Sequence, residues 1–176
     1  MKKGSAAGGK KPRRVRKPAA RAVRAPTSFG LNRILVPIDF SAHSKDALRY
    51  AVPLARQFRA SIHLVYVVEP TVYPADLGFG QVVYPTFEEE LVEKGREELQ
   101  SLLRDEIGTS AGSSAVVRTG KPHQEILLEA EERRADLIIM ATHGHTGVEH
   151  MLFGSTAERI VRNAKCPVLT IRPTEK

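Results

Sequence analysis

A chain of 176 residues with 41% hydrophobic and 27% charged content is long enough to bury one substantial core and ordinary enough to be globular. No apolar run nears the roughly 18–20 residues of a membrane span, and no apolar stretch follows the basic N-terminus as in a secretory signal. The single cysteine, Cys166, excludes an internal disulfide and a cysteine-rich zinc site, and fits a reducing cytoplasm.

The formal charge of +7 divides unevenly: residues 1–30 hold five Lys, five Arg and no acid (+10), whereas residues 31–176 hold 17 bases and 20 acids (−3). Residues 1–30 are also poor in apolar bulk, which predicts a disordered basic tail. Such a tail touches phosphate backbones weakly through counterion release, or serves only as a solubilising extension. An Arg-rich organelle-targeting segment has a similar composition. Residues 31–173 then form the folded domain.

Arg33–Asp39 is a continuous apolar run ended by an acid, the pattern of a parallel strand buried on both faces. Ser41 is the expected N-cap of a helix reaching about Phe58, with Ala47, Leu48, Ala51, Leu54, Ala55 and Phe58 at helical spacing. Pro53 inside it is expected to bend it. Ser61–Val68 is a second buried-type strand. Glu69–Thr86 is the longest loop, a lid or a tolerated surface excursion. Thr86 is expected to cap a long charged helix to Ile107, weakened locally by Gly95.

Ala115–Arg118 is a short third strand, and Thr119–His123 a turn. Pro122 opens a helix to Arg134 with Ile126, Leu127 and Ala130 inward. Ala135–Ala141 is the fourth strand, a glycine-containing loop follows, and a helix runs from about Thr156 to Asn163. Cys166–Ile171 is the fifth strand.

This alternation predicts an α/β fold: one open five-stranded parallel sheet with helices on both faces, most simply in strand order 3-2-1-4-5. Ligands of such sheets bind outside the carboxyl ends of the strands, where chain direction reverses. Here that places Asp39 after strand one beside the loop after strand four. Gly144, Gly147 and Gly154 allow close backbone approach there, and Ser155 with Glu158 has capping-box spacing. The Ser155 and Thr156 N–H groups and hydroxyls can hold a phosphate, or Ser155 merely caps its helix. Asp39 can accept from a ribose hydroxyl or an adenine amine, or cap the next helix together with Ser41. His143, His145 and His150 lack a completing carboxylate or cysteine, so metal binding is the lesser reading and His145 is placed near a phosphate. Cys166 reads as buried and inert.

Several signatures are missing. Gly120-Lys121 is followed by Pro122, so there is no P-loop; no GxGxxG follows strand one; no GxSxG elbow occurs; the acidic pair and lysine of a phospho-receiver are lacking.

With RILVPIDFS, HLVYVVEP, TGKPHQEI and ADLIIMATHGHTGVEHMLFGSTAERIVRNAKCPVLTIRP in hand, the chain from about Asn32 to Arg172 resembles the universal stress protein family, within the adenine-nucleotide α-hydrolase-like superfamily. That family's ATP pattern is G-x2-G-x9-G-[ST]. Gly144, nine intervening residues and Gly154-Ser155 fit it, and Ala141 stands where the pattern has its first glycine. The departure puts a methyl near the nucleotide's sugar or phosphate. The resemblance implies ATP, with or without Mg2+, as the ligand. It places Pro37, Ile38 and Asp39 at adenine and ribose, Val67 against the base, Met140 and Ala141 beside the ribose, and Gly144, Gly154, Ser155 and Thr156 at the phosphates. It also implies a cytoplasmic stress-response module, dimeric through Val168–Ile171, acting on unidentified protein partners. With no arginine finger, no Walker-type lysine and no general base except Asp39, the residues favour binding over catalysis, with at most slow ATP hydrolysis. A dimeric interaction protein without nucleotide is the remaining alternative.

Overall fold

The computed structural model describes residues 30–70, 85–108, 112–143 and 154–172. The expectations for the basic tail, the long loop, Gly144, His145, Gly147 and His150 lie outside the described residues.

Among the described residues five strands and four helices alternate: β1 Arg33–Pro37, α1 Ala42–Phe58, β2 Ser61–Val68, α2 Pro85–Leu102, β3 Ser114–Thr119, α3 Pro122–Glu132, β4 Leu137–Ala141, α4 Ser155–Asn163 and β5 Val168–Ile171. All strand pairs are parallel and the order is β3-β2-β1-β4-β5, as the alternation predicts. The fourth strand and the fifth begin two residues later than the apolar runs suggest, because Asp136 and Pro167 lie just outside the ladder. Asp136 is engaged elsewhere: its Oδ2 accepts from the backbone N–H groups of Asn32 and Arg33, both at 2.9 Å, and fixes the entry to β1.

The period of two divides the core. Ile34, Val36, Ile62, Leu64, Leu137, Ile139 and Ala141 face one side with Ala47, Leu48, Ala51 and Ala55 of α1 and Leu99 of α2. Leu35, Val65, Ile138 and Met140 face the other, under Ile126 and Ala130 of α3 and Ala157 and Ile160 of α4. Each fully buried Ile or Leu in these layers contributes about 1.5–3 kcal/mol.

Ser41 caps α1 as expected, its Oγ accepting from the Ser44 N–H at 3.1 Å. Pro53 lies inside α1, which carries on to Phe58 and stops at Arg59 in the left-handed region (φ 56°). Two helix expectations are corrected. Thr86 is not a cap, since Pro85 already opens α2. Nor does α2 stay α-helical to Ile107: it loosens at Leu103–Ile107 into a π-helical turn closed by Gly108. Gly95 is a packing requirement rather than a weakness. It is buried, and a Cβ there would stand 2.6 Å from Cδ1 of Tyr66.

Behind α3 lies a buried polar group that helical periodicity does not show. Glu129, 1% exposed, reaches down to the sheet. His63 Nε2–H donates to its Oε1 at 2.6 Å, and Arg133 donates to the same oxygen at 2.8 Å. Arg118 pairs with Oε2 and with Glu125 and Glu132. His63 Nδ1 accepts from Ser114 Oγ at 2.7 Å, so the tautomer protonated at Nε2 satisfies both ring nitrogens. Burial pushes His63 below its ordinary value. Burial alone would raise Glu129, but hydrogen bonds from Arg133, His63 and Arg118 bring it below the usual carboxylate range.

Candidate functional site at the β1–β4 switch

The chain leaves the sheet at the carboxyl ends of β1 and β4, which are neighbours through Ile34↔Leu137 and Leu35↔Ile138. The same register carried forward sets Ile38 level with Ala141 and Asp39 level with Thr142. This is the crevice that a strand-order reversal opens.

On the β1 side, Pro37 is the last strand residue, and Ile38 still donates its N–H to Val65 O at 2.8 Å. The chain then turns sharply at Phe40, whose φ of 64° is uncommon for a bulky residue. The turn is held by the Asp39 carboxylate. Its Oδ1 accepts from Ser41 N–H at 3.0 Å and from Ser41 Oγ–H at 2.5 Å. Ser44 Oγ accepts the Asp39 N–H at 3.4 Å and donates to Ser41 O at 3.1 Å. Asp39 therefore takes the helix-start role foreseen for it as one alternative, while remaining at the mouth of the crevice.

On the β4 side, Met140 and Ala141 are both buried. Met140 belongs to the layer under α3 and α4; Ala141 belongs to the α1 layer, together with partly buried Phe40 and Ile171. The Ala141 methyl is thus part of the hydrophobic core. Thr142, 5% exposed, then joins three elements. Its N–H donates to Ile171 O at 3.0 Å, and its carbonyl accepts from Gly154 N–H at 2.8 Å. That second bond docks the start of α4 against the end of β4.

Gly154 needs no special dihedral, since its φ is −70°. It needs room: a Cβ would stand 3.3 Å from Thr142 O and 3.9 Å from His143 Cα. The capping box expected of Ser155 and Glu158 does not form. Gly154 itself is the N-cap, no side chain among the described residues caps it, and the Glu158 carboxylate pairs instead with Arg162 at 2.7 Å. Ser155 is exposed and Thr156 half-buried in the first turn of α4, where a helix leaves N–H groups without intrahelical partners.

Val67 lies half-buried near the end of β2 on the α3–α4 side, beyond the last residue of β1. The described residues thus bring Pro37, Ile38, Asp39, Val67, Met140, Ala141, Gly154, Ser155 and Thr156 to the carboxyl end of the sheet. Three residues to which the sequence assigned no role also shape this end of the sheet: Phe40, Tyr66 and Thr142. Among the described residues no group of three His, Cys, Asp or Glu gathers as metal ligands. His143 Nδ1 lies 3.0 Å from Thr142 Oγ1. Cys166, partly buried with its thiol pushed up by burial, lines a cleft of about 270 Å³ at the opposite end of the strands, with Leu127, Arg134 and Lys165.

The chain matches the model of the universal stress protein family over residues 30–172. It is 35% identical over 146 residues to universal stress protein MJ0531 of Methanocaldococcus jannaschii, covering 82% of this chain and 84% of that protein. The solved structure of hypothetical protein MJ0577, a structural-genomics test case of assigning biochemical function from structure, superposes with a TM-score of 0.65 at 26% identity, covering 84% and 99%. Universal stress protein UspA from Lactobacillus plantarum superposes with a TM-score of 0.66 at 25% identity, covering 80% and 97%.

Proposed function

Because the chain belongs to the universal stress protein family, we propose that it binds ATP at the β1–β4 switch and works as a stress-response module. The observation that carries this reading is the docking of Gly154 on Thr142. It brings a helix start, uncapped by any side chain among the described residues, to the end of β4, the strand next to the one that Asp39 follows. An α-helix start offers unpaired N–H donors and a positive dipole end, the environment a phosphate requires. Gly144, Gly154 and Ser155 keep the family's ATP spacing.

Ser155, Thr156 and Gly154, with Gly144 and His145, hold the phosphates. Asp39 accepts from the ribose, Pro37, Ile38 and Val67 bound the base, and Met140 and Ala141 flank the sugar. Ala141 replaces a motif glycine without closing the crevice, since its methyl is spent in the α1 layer. Any Mg2+ would arrive with the phosphates, there being no carboxylate cluster for it among the described residues. Binding shifts a conformational population that partner proteins read. We take residues 31–173 as the working domain and residues 1–30 as an appended basic tail that makes at most weak nucleic-acid contacts. The cytoplasm is the proposed location; among the described residues no helix is long and apolar enough to cross a membrane.

The test is direct. The purified chain is denatured and the released small molecules are chromatographed, and ATP is added to the stripped protein with calorimetric detection. Co-released ATP, or micromolar rebinding, is the expected result. No nucleotide in either arm rejects the reading in favour of a dimeric interaction protein. Steady ADP production that stops in Asp39→Ala would make the protein an ATPase instead.

A further inference from the structure

We infer that Tyr66, seated in the space left by Gly95, positions the Asp39 carboxylate by holding Phe40 in its left-handed conformation. The inference rests on the nucleotide reading for its consequence, since Asp39 is the residue assigned to the ribose. Its geometry is independent of that reading.

Three observations meet here. Phe40 has a φ of 64°, a region that bulky side chains occupy only when surroundings enforce it. The Phe40 and Tyr66 rings lie 4.7 Å apart between centroids with an interplanar angle of 56°, a favourable tilted aromatic contact. The other side of the Tyr66 ring is closed by helix α2. A Cβ on Gly95 would stand 2.6 Å from Cδ1 and 2.7 Å from Cε1 of Tyr66, distances at which the ring must move. Tyr66 is thus clamped between the α2 backbone and Phe40.

Phe40 in turn sets the turn geometry. Its neighbours on each side are Asp39 and Ser41, joined by two hydrogen bonds to Oδ1. Relaxing Phe40 to an ordinary φ would swing Ser41 away from Asp39 and change where the carboxylate points. Burial, then the nearby Glu98 and Asp39 carboxylates, push the Tyr66 phenol up, which agrees with a ring lying between α2 and the Asp39 turn. The path Gly95–Tyr66–Phe40–Asp39 therefore links the middle of α2 to the ribose end of the site.

The experiment compares ATP with 2′,3′-dideoxy-ATP by calorimetry on the full chain, and follows amide exchange of Ser41 without nucleotide. The wild type should prefer ATP by about tenfold, the worth of one hydrogen bond to a charged acceptor. Tyr66→Leu should bring that ratio close to one and speed Ser41 exchange, because the Asp39 bond that protects the amide loosens. Tyr66→Phe, which keeps the ring, should restore both. Gly95→Ala should act like Tyr66→Leu by displacing the ring, and serves if Tyr66→Leu folds poorly. A merely structural role for Tyr66 would lower the melting temperature and leave the ratio alone.

An unchanged ratio together with unchanged Ser41 exchange in Tyr66→Leu overturns the inference while leaving ATP binding intact. Faster Ser41 exchange in a protein that binds no ATP supports the positioning and rejects the nucleotide reading, so the two failures are distinguishable.

Discussion

Gly154 shows how little room the site has at the level of one residue. Its Cα must pass within reach of the Thr142 carbonyl, and a Cβ would meet that oxygen at 3.3 Å. Gly154→Val adds two further carbons to that Cβ and must lift α4 from β4. ATP affinity should fall at least about tenfold, and stability by about 1–3 kcal/mol, the usual range for overpacking. Gly154→Ala, needing only a few tenths of an ångström, should keep most of both. Calorimetry and thermal melts on the two variants separate loss of site from loss of fold; unchanged ATP affinity in the valine variant removes Gly154 from the site.

Glu129 is the second residue whose consequence is measurable. It is 1% exposed and balanced by Arg118, Arg133 and the His63 N–H. Glu129→Ala would leave the buried His63 Nε2–H without its acceptor and take one of three carboxylates from Arg118, which keeps Glu125 and Glu132; an unsatisfied buried donor costs about 1–3 kcal/mol. Its pH dependence has a definite sign. His63 is held below about 6.5 in the folded state, so below that pH the unfolded chain takes up a proton the native one refuses. Stability is therefore complete above about pH 6.5 and falls as pH drops toward the folded value, by at most about 1.4 kcal/mol per pH unit. Glu129, also depressed, adds a further loss below about 4.5. Urea melts from pH 7.5 to 4.5 should show a decline that begins near 6.5, and His63→Gln should remove its upper part. A flat profile between 7.5 and 5.5 would contradict the neutral, buried His63.

Among the elements, the strands were the most legible. Buried parallel strands need apolar side chains on both faces, so β2 was readable to the residue, and β1 and β4 to within two residues. Order followed from alternation and the switch-point rule. Helix ends were less legible, because several residue types compete for each cap. Ser155–Glu158 has capping-box spacing, yet the Gly154 carbonyl takes the Glu158 N–H and leaves the serine at the first helical position. Glu129 sits in a stretch, Glu129–Arg134, in which every residue but Ala130 is charged, and only the packing of α3 on β2 singles out the buried acid. Gly95 looked like a weak point because propensity counts the helix alone; the Tyr66 ring that needs the space comes from another element. Of the candidate site, topology foretold that Asp39 and the chain leaving β4 lie at the same end of the sheet. Phe40, Tyr66 and Thr142 were not legible, since they act through backbone geometry and ring packing across elements.

The start of α1 carries an element-scale prediction. Ser41 Oγ both accepts from Ser44 N–H and donates to Asp39, so Ser41→Ala removes the cap and one of the hydrogen bonds that hold the Asp39 carboxylate. A loss of about 1–2 kcal/mol is expected from the cap, with ATP binding weakened alongside it. Ser41→Thr should retain both, and chemical denaturation with parallel ATP titration checks the pair.

At the scale of the whole molecule the two sheet edges differ. β3 carries Arg118, bound into the Glu125–Glu129–Glu132 set, and a charged edge is a poor template for another strand. β5, Val168–Ile171, carries no charged side chain, pairs with β4 on one side only, and leaves Leu169 42% exposed. Val161 on α4 is 47% exposed as well. The dimer that the family resemblance implies would join two β5 strands antiparallel about a two-fold axis, an arrangement that would hide the same apolar positions in both copies. Four residues of ladder bury far less than the roughly 1,200 Å² of a stable interface, so neighbouring elements must add to it and the dimer should depend on concentration. A cation placed on this strand meets its own copy across the axis, and like charges facing across a ladder are destabilising. Light scattering on the wild type should therefore give twice 19.4 kDa at tens of micromolar, and Leu169→Lys should give a monomer with an unchanged thermal melt at equal low concentration. A wild type that stays monomeric would reject the dimer, and a Leu169→Lys variant that still dimerises would place the contact elsewhere than β5.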